Sequence, residues 1–393
     1  MPLSLGIEDE LFLHDEKTYR LTSAGPAAFG SGSRRAAGEL KPEISDAQIE
    51  LTTRPATDHR DLLADLEALR TYAADRAAEL GLLVLPTGTP ILGSPAGQSV
   101  SDRDRYRAIR ARFGRLVQEQ QFSGLHVHVG IEDPDRRASA ANALRPWLPV
   151  LAAMTANSPF WFGEDTGFAS WRTVNRQRWP VGGVPPAWTS FVDYHTHVAE
   201  LIDVGAVPDR GCIYWDVRLS HRFPTVEVRM ADTPLTSAEA VAVACLIRAI
   251  MAVDGAVDGS ATTLREVSVP APHLLRAYVF AAARDGLAAR VADPCGNGLT
   301  TASGALDSLL TLVERALDEA GDAEFVRTQV DRIRAHGTGA ARQRATRDDE
   351  QGMEGVVRRW ALSGGSSSHV DLRSPPGRAT CHPDRPSAGA NRR

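Results

Sequence analysis

The stretch Gly6-Ile-Glu-Asp-Glu-Leu-Phe-Leu13 decides how the rest of this 393-residue chain is read. Apolar residues flank Glu8 and Glu10. In an extended strand, side chains alternate faces with a period of two, so these two carboxylates point the same way. Like charges side by side cost free energy unless a cation or a proton lies between them, which points to a metal site. A first strand at a sheet edge with one wet face would show the same alternation, and the dipeptide spacing alone leaves both readings open.

Other segments repeat the pattern. Ile44 to Thr53 reads as a strand with Gln48 and Glu50 on one face and Ile49 and Leu51 on the other. Glu43 lies seven residues before Glu50, an odd offset, so both face one site only if Glu43 belongs to the preceding loop or a bulge intervenes. Gly124-Leu-His-Val-His-Val-Gly130 puts His126 and His128 on one strand face, a metal-ligand spacing that satisfied half-buried histidines also show. Cys212 to Leu219 and Thr225 to Met230 supply two more strands, with Asp216 and Arg218 paired on one and Glu227 and Arg229 on the other.

Around these strands the spacing predicts helices. Pro55 to Leu80 repeats apolar residues at helical intervals, with Thr57 or Asp58 as N-cap and Gly81 past the end. Leu82 to Leu85 is a short apolar strand; Gly25 to Gly38 and Pro86 to Ser101 read as loops. Tyr106 to Gln118 is a basic helix whose arginines form a solvated face. A helix over Arg136 to Ala156 is broken near Pro146 and Pro149, and another covers Ser190 to Val204. The aromatic and glycine-rich run from Asn157 to Pro186 reads as an ordered loop lining a pocket, where Arg172 offers a planar fork for a carboxylate or a stack on tryptophan. Asp232 and Thr233 open a long apolar helix from Thr236 to Val253, and helices joined by loops follow to Trp360. No internal repeat is present.

Composition excludes several classes. A net charge of −5 gives no global attraction to nucleic acid or acidic lipid. Lys17 and Lys41 are the only lysines. No Gly-x-x-x-x-Gly-Lys-Ser/Thr loop exists, so a nucleotide would not be held by a P-loop. Cys212, Cys245, Cys295 and Cys381 are far apart, which argues against a zinc site or a disulfide framework and makes a reducing cytoplasm the expected compartment. No basic-then-apolar leader opens the sequence. The run Ala240 to Val253 is too short to span a bilayer.

Five strands each carrying an i, i+2 polar pair opposite an apolar face fit one antiparallel sheet with a shared polar side and helices behind it. Four or more carboxylates there favour Mg2+ or Mn2+, ions that clamp nucleotide phosphates. Arg229 would reach a transferring phosphoryl group. The motifs Gly6-Ile-Glu-Asp-Glu10, Gln48-Ile-Glu-Leu51, Gly124-Leu-His-Val-His-Val-Gly130, Asn157-Ser-Pro-Phe-Trp161, Ser170-Trp-Arg-Thr173, Trp215-Asp-Val-Arg218 and Pro224-Thr-Val-Glu-Val-Arg229 are all present. In combination the chain resembles the type 2 glutamate–cysteine ligases, or carboxylate–amine ligases, of the glutamine synthetase-like superfamily, from about Leu5 to Arg359.

The resemblance implies an α+β fold in which a curved, mainly antiparallel six-stranded sheet of the glutamine synthetase and guanido kinase-like kind is packed with helices. It makes residues 1–362 the catalytic domain and leaves 363–393 as a disordered tail, consistent with the Gly, Ser, Pro and Arg bias there. It implies metal ligation by Glu8, Glu10, Glu50 and Glu227, with Glu43 and His126 at matching positions. Arg172 matches the arginine that grips the acid, with Trp171 beside it where the family usually has tyrosine. Arg229 matches the one facing the transferred phosphate, with Glu50 also assigned to catalysis. His126 and Arg344 are candidate nucleotide contacts. The expected reaction is ATP-dependent: glutamate is phosphorylated on its side-chain carboxylate, then attacked by an amine such as cysteine. A different amine, a metal-dependent hydrolase using His126 and His128, and a binding protein without turnover remain alternatives. Small molecules are the expected partners, with no nucleic acid and no membrane; homo-oligomerisation is left open.

Overall fold

The Glu8/Glu10 strand runs through the middle of the main sheet. In the computed structural model, which describes residues 2–30, 32–95, 99, 104–254, 267–296, 298–350 and 352–364, β1 spans Leu5–Asp15. Leu5, Ile7, Leu11 and Leu13 are buried on one side, and Gly6, Glu8 and Glu10 lie half-buried on the other. The strands that follow are β2 (Ser33–Arg35), β3 (Gly38–Pro42), β4 (Gln48–Thr53), β5 (Leu82–Leu85), β6 (Gly124–Gly130), β7 (Phe160–Trp161), β8 (Glu164–Asp165), β9 (Val217–Leu219) and β10 (Thr225–Asp232). The sheet order is β2-β3-β4-β1-β6-β10-β9, with β5 paired to the far end of β1; every pairing is antiparallel. β7 and β8 form a separate hairpin, as do β11 (Arg290–Ala292) and β12 (Leu299–Thr301).

The helices α1 (Gly25–Phe29), α2 (His59–Ala78), α3 (Asp104–Phe113), α4 (Arg115–Gln118), α5 (Pro134–Leu144), α6 (Leu148–Met154), α7 (Trp171–Arg176) and α8 (Phe191–Asp203) precede the long α9 (Ser237–Asp254). After it come α10 (Pro272–Asp285), α11 (Ala302–Ala320), α12 (Ala323–His336), α13 (Gly339–Asp349) and α14 (Met353–Trp360). α2 starts where the Asp58 carboxylate accepts from the Arg60 amide at 2.8 Å. It buries Leu62, Leu66, Leu69, Ala73 and Ala77 against the apolar face of the sheet. α9 is buried from Ala240 to Met251 on all sides and is walled by α2, α5, α11 and α12, as a helix without a polar face must be.

The architecture is the expected α+β arrangement, with differences in detail. The sheet has eight strands rather than six: three-residue β2 adds to one edge, and β5 joins through Phe12 to Asp15. The segment 25–38 contains α1 and β2 rather than loop alone, and the strand expected from Ile44 begins at Gln48. The strand expected over Cys212 to Leu219 shrinks to Val217–Leu219. Its first carbonyls are taken by guanidinium groups, Arg218 donating to Gly211 and Ile213 (3.1 and 2.9 Å) and Arg176 to Tyr214 (2.9 Å). Trp171 and Arg172 open a short helix, capped by the Ser170 hydroxyl, instead of lying in a loop. Residues 365–393 of the expected tail lie outside the described residues. No helix among those described is long and apolar enough to cross a membrane.

On the helix side of β1 one acid breaks the apolar run. Asp9 is fully buried and accepts from Arg70 Nε of α2 at 2.8 Å, while Arg70 also donates to the carbonyls of Pro234 and Leu235. Arg70→Leu is expected to cost about 3–5 kcal/mol in urea unfolding because a buried charge is left uncompensated. Asp9→Leu with Arg70→Leu should recover most of that loss.

Candidate functional site

Strand register builds the site. Across β4, β1, β6, β10 and β9 the polar-face residues stand directly opposite one another: Glu50 against Glu10, Glu8 against His126, His128 against Glu227, and Glu227 against Arg218. His126 Nδ1 lies 3.2 Å from Glu8 Oε2 and its Nε2 3.6 Å from Glu10 Oε1. His128 Nε2 is 3.5 Å from Glu8 Oε1. Arg218 grips Glu227 with two hydrogen bonds, at 2.7 and 2.9 Å, and Arg229 pairs with the same carboxylate. Lys41 on β3 reaches Glu50 at 2.7 Å.

Glu43 resolves its own offset. It follows β3 in the turn into β4 and joins Glu10 and Glu50 there. Among the described residues two groups of three bring ligand atoms within 4.8 Å of one another: Glu10, Glu43 and Glu50, and Glu8, His128 and Glu227. The sequence singled out His126 for the metals; the geometry groups His128 with Glu8 and Glu227 and leaves His126 between Glu8 and Glu10.

Beside this row lies a small cleft lined by Glu10, Phe122, His126, Arg172, Arg176, Trp179, Tyr214 and Arg229, among others. Arg172 and Arg176 are four residues apart on α7 and share the face turned to the cleft. Arg172 donates from Nη1 to the Met230 carbonyl (3.0 Å) and from Nη2 to that of Arg229 (3.1 Å), and its buried Nε has no partner. Trp171 is not among the cleft residues; it packs on Phe168 with ring centroids 5.4 Å apart. Nor is Arg344, whose Nε and Nη2 are spent on Asp165 at 2.9 and 2.6 Å. Arg176 escaped sequence reading because α7 was not read as a helix, although its i+4 spacing from Arg172 was visible. Lys41 escaped too, and its rarity was its only signal.

The family model described as "Glutamate-cysteine ligase family 2 (GCS2)" matches residues 4–362. The chain belongs to glutamate–cysteine ligase family 2. It is 39% identical over 350 residues to a provisionally named glutamate–cysteine ligase 2 of Salinispora arenicola, covering 88% of this chain and 90% of that one. A relative with the same kind of name in Saccharopolyspora erythraea is 38% identical over 344 residues, with 88% and 90% covered. Among solved structures the fold matches a glutamate–cysteine ligase of Francisella tularensis in complex with AMP, with a TM-score of 0.67, 13% identity, and 91% and 88% of the two chains covered. It also matches a bifunctional glutathione synthetase of Pasteurella multocida, with a TM-score of 0.62, 18% identity, and 91% and 52% covered. These two likenesses concern the fold; family 2 membership makes the chain a ligase of the glutamate–cysteine ligase type.

The family 2 site separates into two electrostatic halves. Burial, and then the charges of Glu10 and Glu50, push Glu43 well above the usual carboxylate range. Burial raises Glu10 to about 7, Arg172 and Arg229 pulling against it and Glu50 adding to it. In the other half burial acts upward on Glu227, but Arg218 and Arg229 outweigh it and hold the carboxyl low. Burial likewise acts upward on Glu8, and the His126 and His128 imidazoles beside it outweigh burial and hold the carboxyl low. Burial lowers His126 to about 3, with Arg229 adding to the effect. Burial and mutual repulsion thus favour the neutral form around Glu43 and Glu10, while the arginines and imidazoles favour the charged form at Glu227 and Glu8. Five carboxylates with one or two imidazoles suit a hard divalent cation, and the buried Nε2 of His128 lacks a hydrogen-bond partner while Thr225 Oγ1 lies 3.0 Å from its Nδ1.

Gly124 matters to the cleft because a Cβ there would fall 2.0 Å from Arg172 Nη2. Gly124→Ala is expected to force the guanidinium off the Met230 and Arg229 carbonyls and to cost about 1–3 kcal/mol in denaturant unfolding.

Proposed function

We propose that this protein is an ATP-dependent carboxylate–amine ligase that joins the side-chain carboxylate of L-glutamate to the amine of L-cysteine, releasing ADP and phosphate. The observation that carries this reading is the contiguous row of opposed carboxylates and imidazoles on the polar face of the sheet, bordered by Arg229 and opening toward Arg172. Relatives named as glutamate–cysteine ligases support the choice of acid and amine.

In this reading Glu10, Glu43 and Glu50 hold one Mg2+ or Mn2+, and Glu8, Glu227 and His128, with His126 alongside, hold another. Bound metal and ATP supply positive charge for phosphate oxygens and the phosphoryl group that activates the carboxylate. The chain's own groups do the rest. Arg229, kept charged by Glu227 and Glu10 against the pull of burial, stabilises negative charge building on the transferred group. Arg172, which lines the cleft, presents its guanidinium to a carboxylate of the acid. Phe122, Trp179 and Tyr214 give the cleft an aromatic wall, and an acyl phosphate awaiting an amine requires that water be kept from it. The same aromatic wall favours a second reading, identical chemistry with a less polar amine than cysteine.

The test is ADP release in the presence of glutamate, Mg2+ and ATP, adding cysteine and then other amines singly. Cysteine-stimulated turnover is expected, with Arg229→Ala slowing it by about 100- to 1,000-fold. Stimulation by another amine alone would replace the substrate and keep the chemistry; folded, metal-supplemented protein with no amine-dependent ADP release would overturn the reading.

Metal binding is checked separately by titrating Mn2+ and following the free-ion EPR signal. Glu50→Ala and Glu227→Ala should each remove one class of site. Because Glu43 and Glu10 are pushed up toward protonation, Mn2+ must displace protons, so affinity at that half should be weaker at pH 6 than at pH 8.

A further inference from the structure

Asp232, at the end of β10, is fully buried and was read in the sequence only as an opener of the following helix. Its Oδ2 accepts from the Asn157 amide at 2.8 Å and from the Ser158 hydroxyl at 2.7 Å; its Oδ1 accepts from the Ser170 hydroxyl at 2.9 Å. Ser158 Oγ in turn accepts from the Arg172 amide at 3.0 Å, and Ser170 Oγ caps α7 by accepting from the Thr173 amide at 3.2 Å. The Arg172 Nη1 lies 3.8 Å from Asp232 Oδ1. Gly88 leaves the room this needs, because a Cβ there would stand 2.8 Å from Asp232 Cγ.

Arg172 is thus fixed at both ends with reference to one carboxylate. Its backbone is tied through Ser158, its helix through Ser170, and its guanidinium charge is balanced across 3.8 Å. Each terminal nitrogen gives one hydrogen to the Met230 or Arg229 carbonyl, and the Nε–H has no partner among the described residues, so the guanidinium at the cleft keeps donors to offer. A guanidinium free to rotate would scatter those donors over several directions and would lose entropy on binding.

We propose that Asp232 is a positioning residue that aims the Arg172 guanidinium at the acid substrate, and that its charge and both its oxygens are required. This rests on the reading above, in which Arg172 binds the acid. Asp232 touches no substrate itself. It acts on binding of the acid and leaves the nucleotide end of the site alone.

Two readouts separate this from a general structural role. The first is independent of substrate: the 1H–15N correlation of arginine Nε–H groups, with the Arg172 signal assigned by its loss in Arg172→Lys. Asp232→Asn keeps the shape but withdraws the charge and turns one acceptor into a donor, so the Arg172 signal should move and exchange faster with solvent. The second is kinetic. KM for the acid should rise roughly 10- to 100-fold, with kcat and KM for ATP within about three-fold, as misplacement of a remote support does. Ser158→Ala, which removes one of the connecting hydroxyls, should do the same to a smaller degree and serves if Asp232→Asn does not fold. An unmoved Arg172 signal in both variants overturns the positioning role, as does a parallel loss of kcat and both KM values. If the signal moves in the variants while no acid perturbs it in the wild type and no acid-dependent ADP release is seen, the ligase reading of the cleft fails instead.

Discussion

The opposition of Glu10 and Glu50 across β1 and β4 is the constraint on which the polar face depends. Two carboxylates in directly facing positions, one half-buried and one buried, repel each other, and Glu43 adds a third. A protein retains such an arrangement only if something neutralises it. Lys41 offsets part of the charge at Glu50, and protons or a divalent cation would offset the remainder. The neighbouring half of the row is treated differently: Arg218 and Arg229 neutralise Glu227, and the His126 and His128 imidazoles stand beside Glu8. The sheet therefore sets carboxyls pushed up at Glu43 and Glu10 next to carboxyls held low at Glu227 and Glu8.

The apolar face allows this. Leu5, Ile7, Leu11, Leu13 and their neighbours on β4, β6 and β10 are covered by α2, α9 and α6, so the sheet has a rigid backing and strand register cannot slip. A slip of one residue would turn every carboxylate into the core. Asp9 is the one acid on that side, and Arg70 holds it; the pair ties β1 to α2 and to the segment leaving β10 through the Pro234 and Leu235 carbonyls.

Much of this was legible because strands half-buried on one face must alternate. The pairs Glu8/Glu10, Gln48/Glu50, His126/His128 and Glu227/Arg229 lie on contiguous strands of one sheet, as period two required. What was not legible depends on contacts remote in sequence. Ahead of Val217 the Tyr214 carbonyl is taken by Arg176 of α7, far off in sequence, which no local pattern reports. Helix α7, six residues long, carries too little periodicity to be recognised, and with it Arg176 went unread. The choice between His126 and His128 beside Glu227 is a matter of register, since only pairing shows that His128 faces Glu227 and His126 faces Glu8.

The irregularity in β10 joins the two parts of the site. Its pairing with β6 shifts between Val228 and Ala231, and the carbonyls of Arg229 and Met230 are taken by Arg172 and Arg176 of α7. A bulge normally leaves backbone acceptors without a ladder partner; here two arginines satisfy them and are oriented in return. The Arg229 side chain stays on the polar face with Glu227, while the main chain at the same residue anchors the cleft arginines. One residue thus carries the cation beside the carboxylate row and the acceptor that holds the cleft arginines, which fixes the two at a constant separation. Regularising the strand would free those carbonyls to pair with β6 and would leave Arg172 and Arg176 without their backbone partners, so the bulge is as much a part of the site as the side chains it displays.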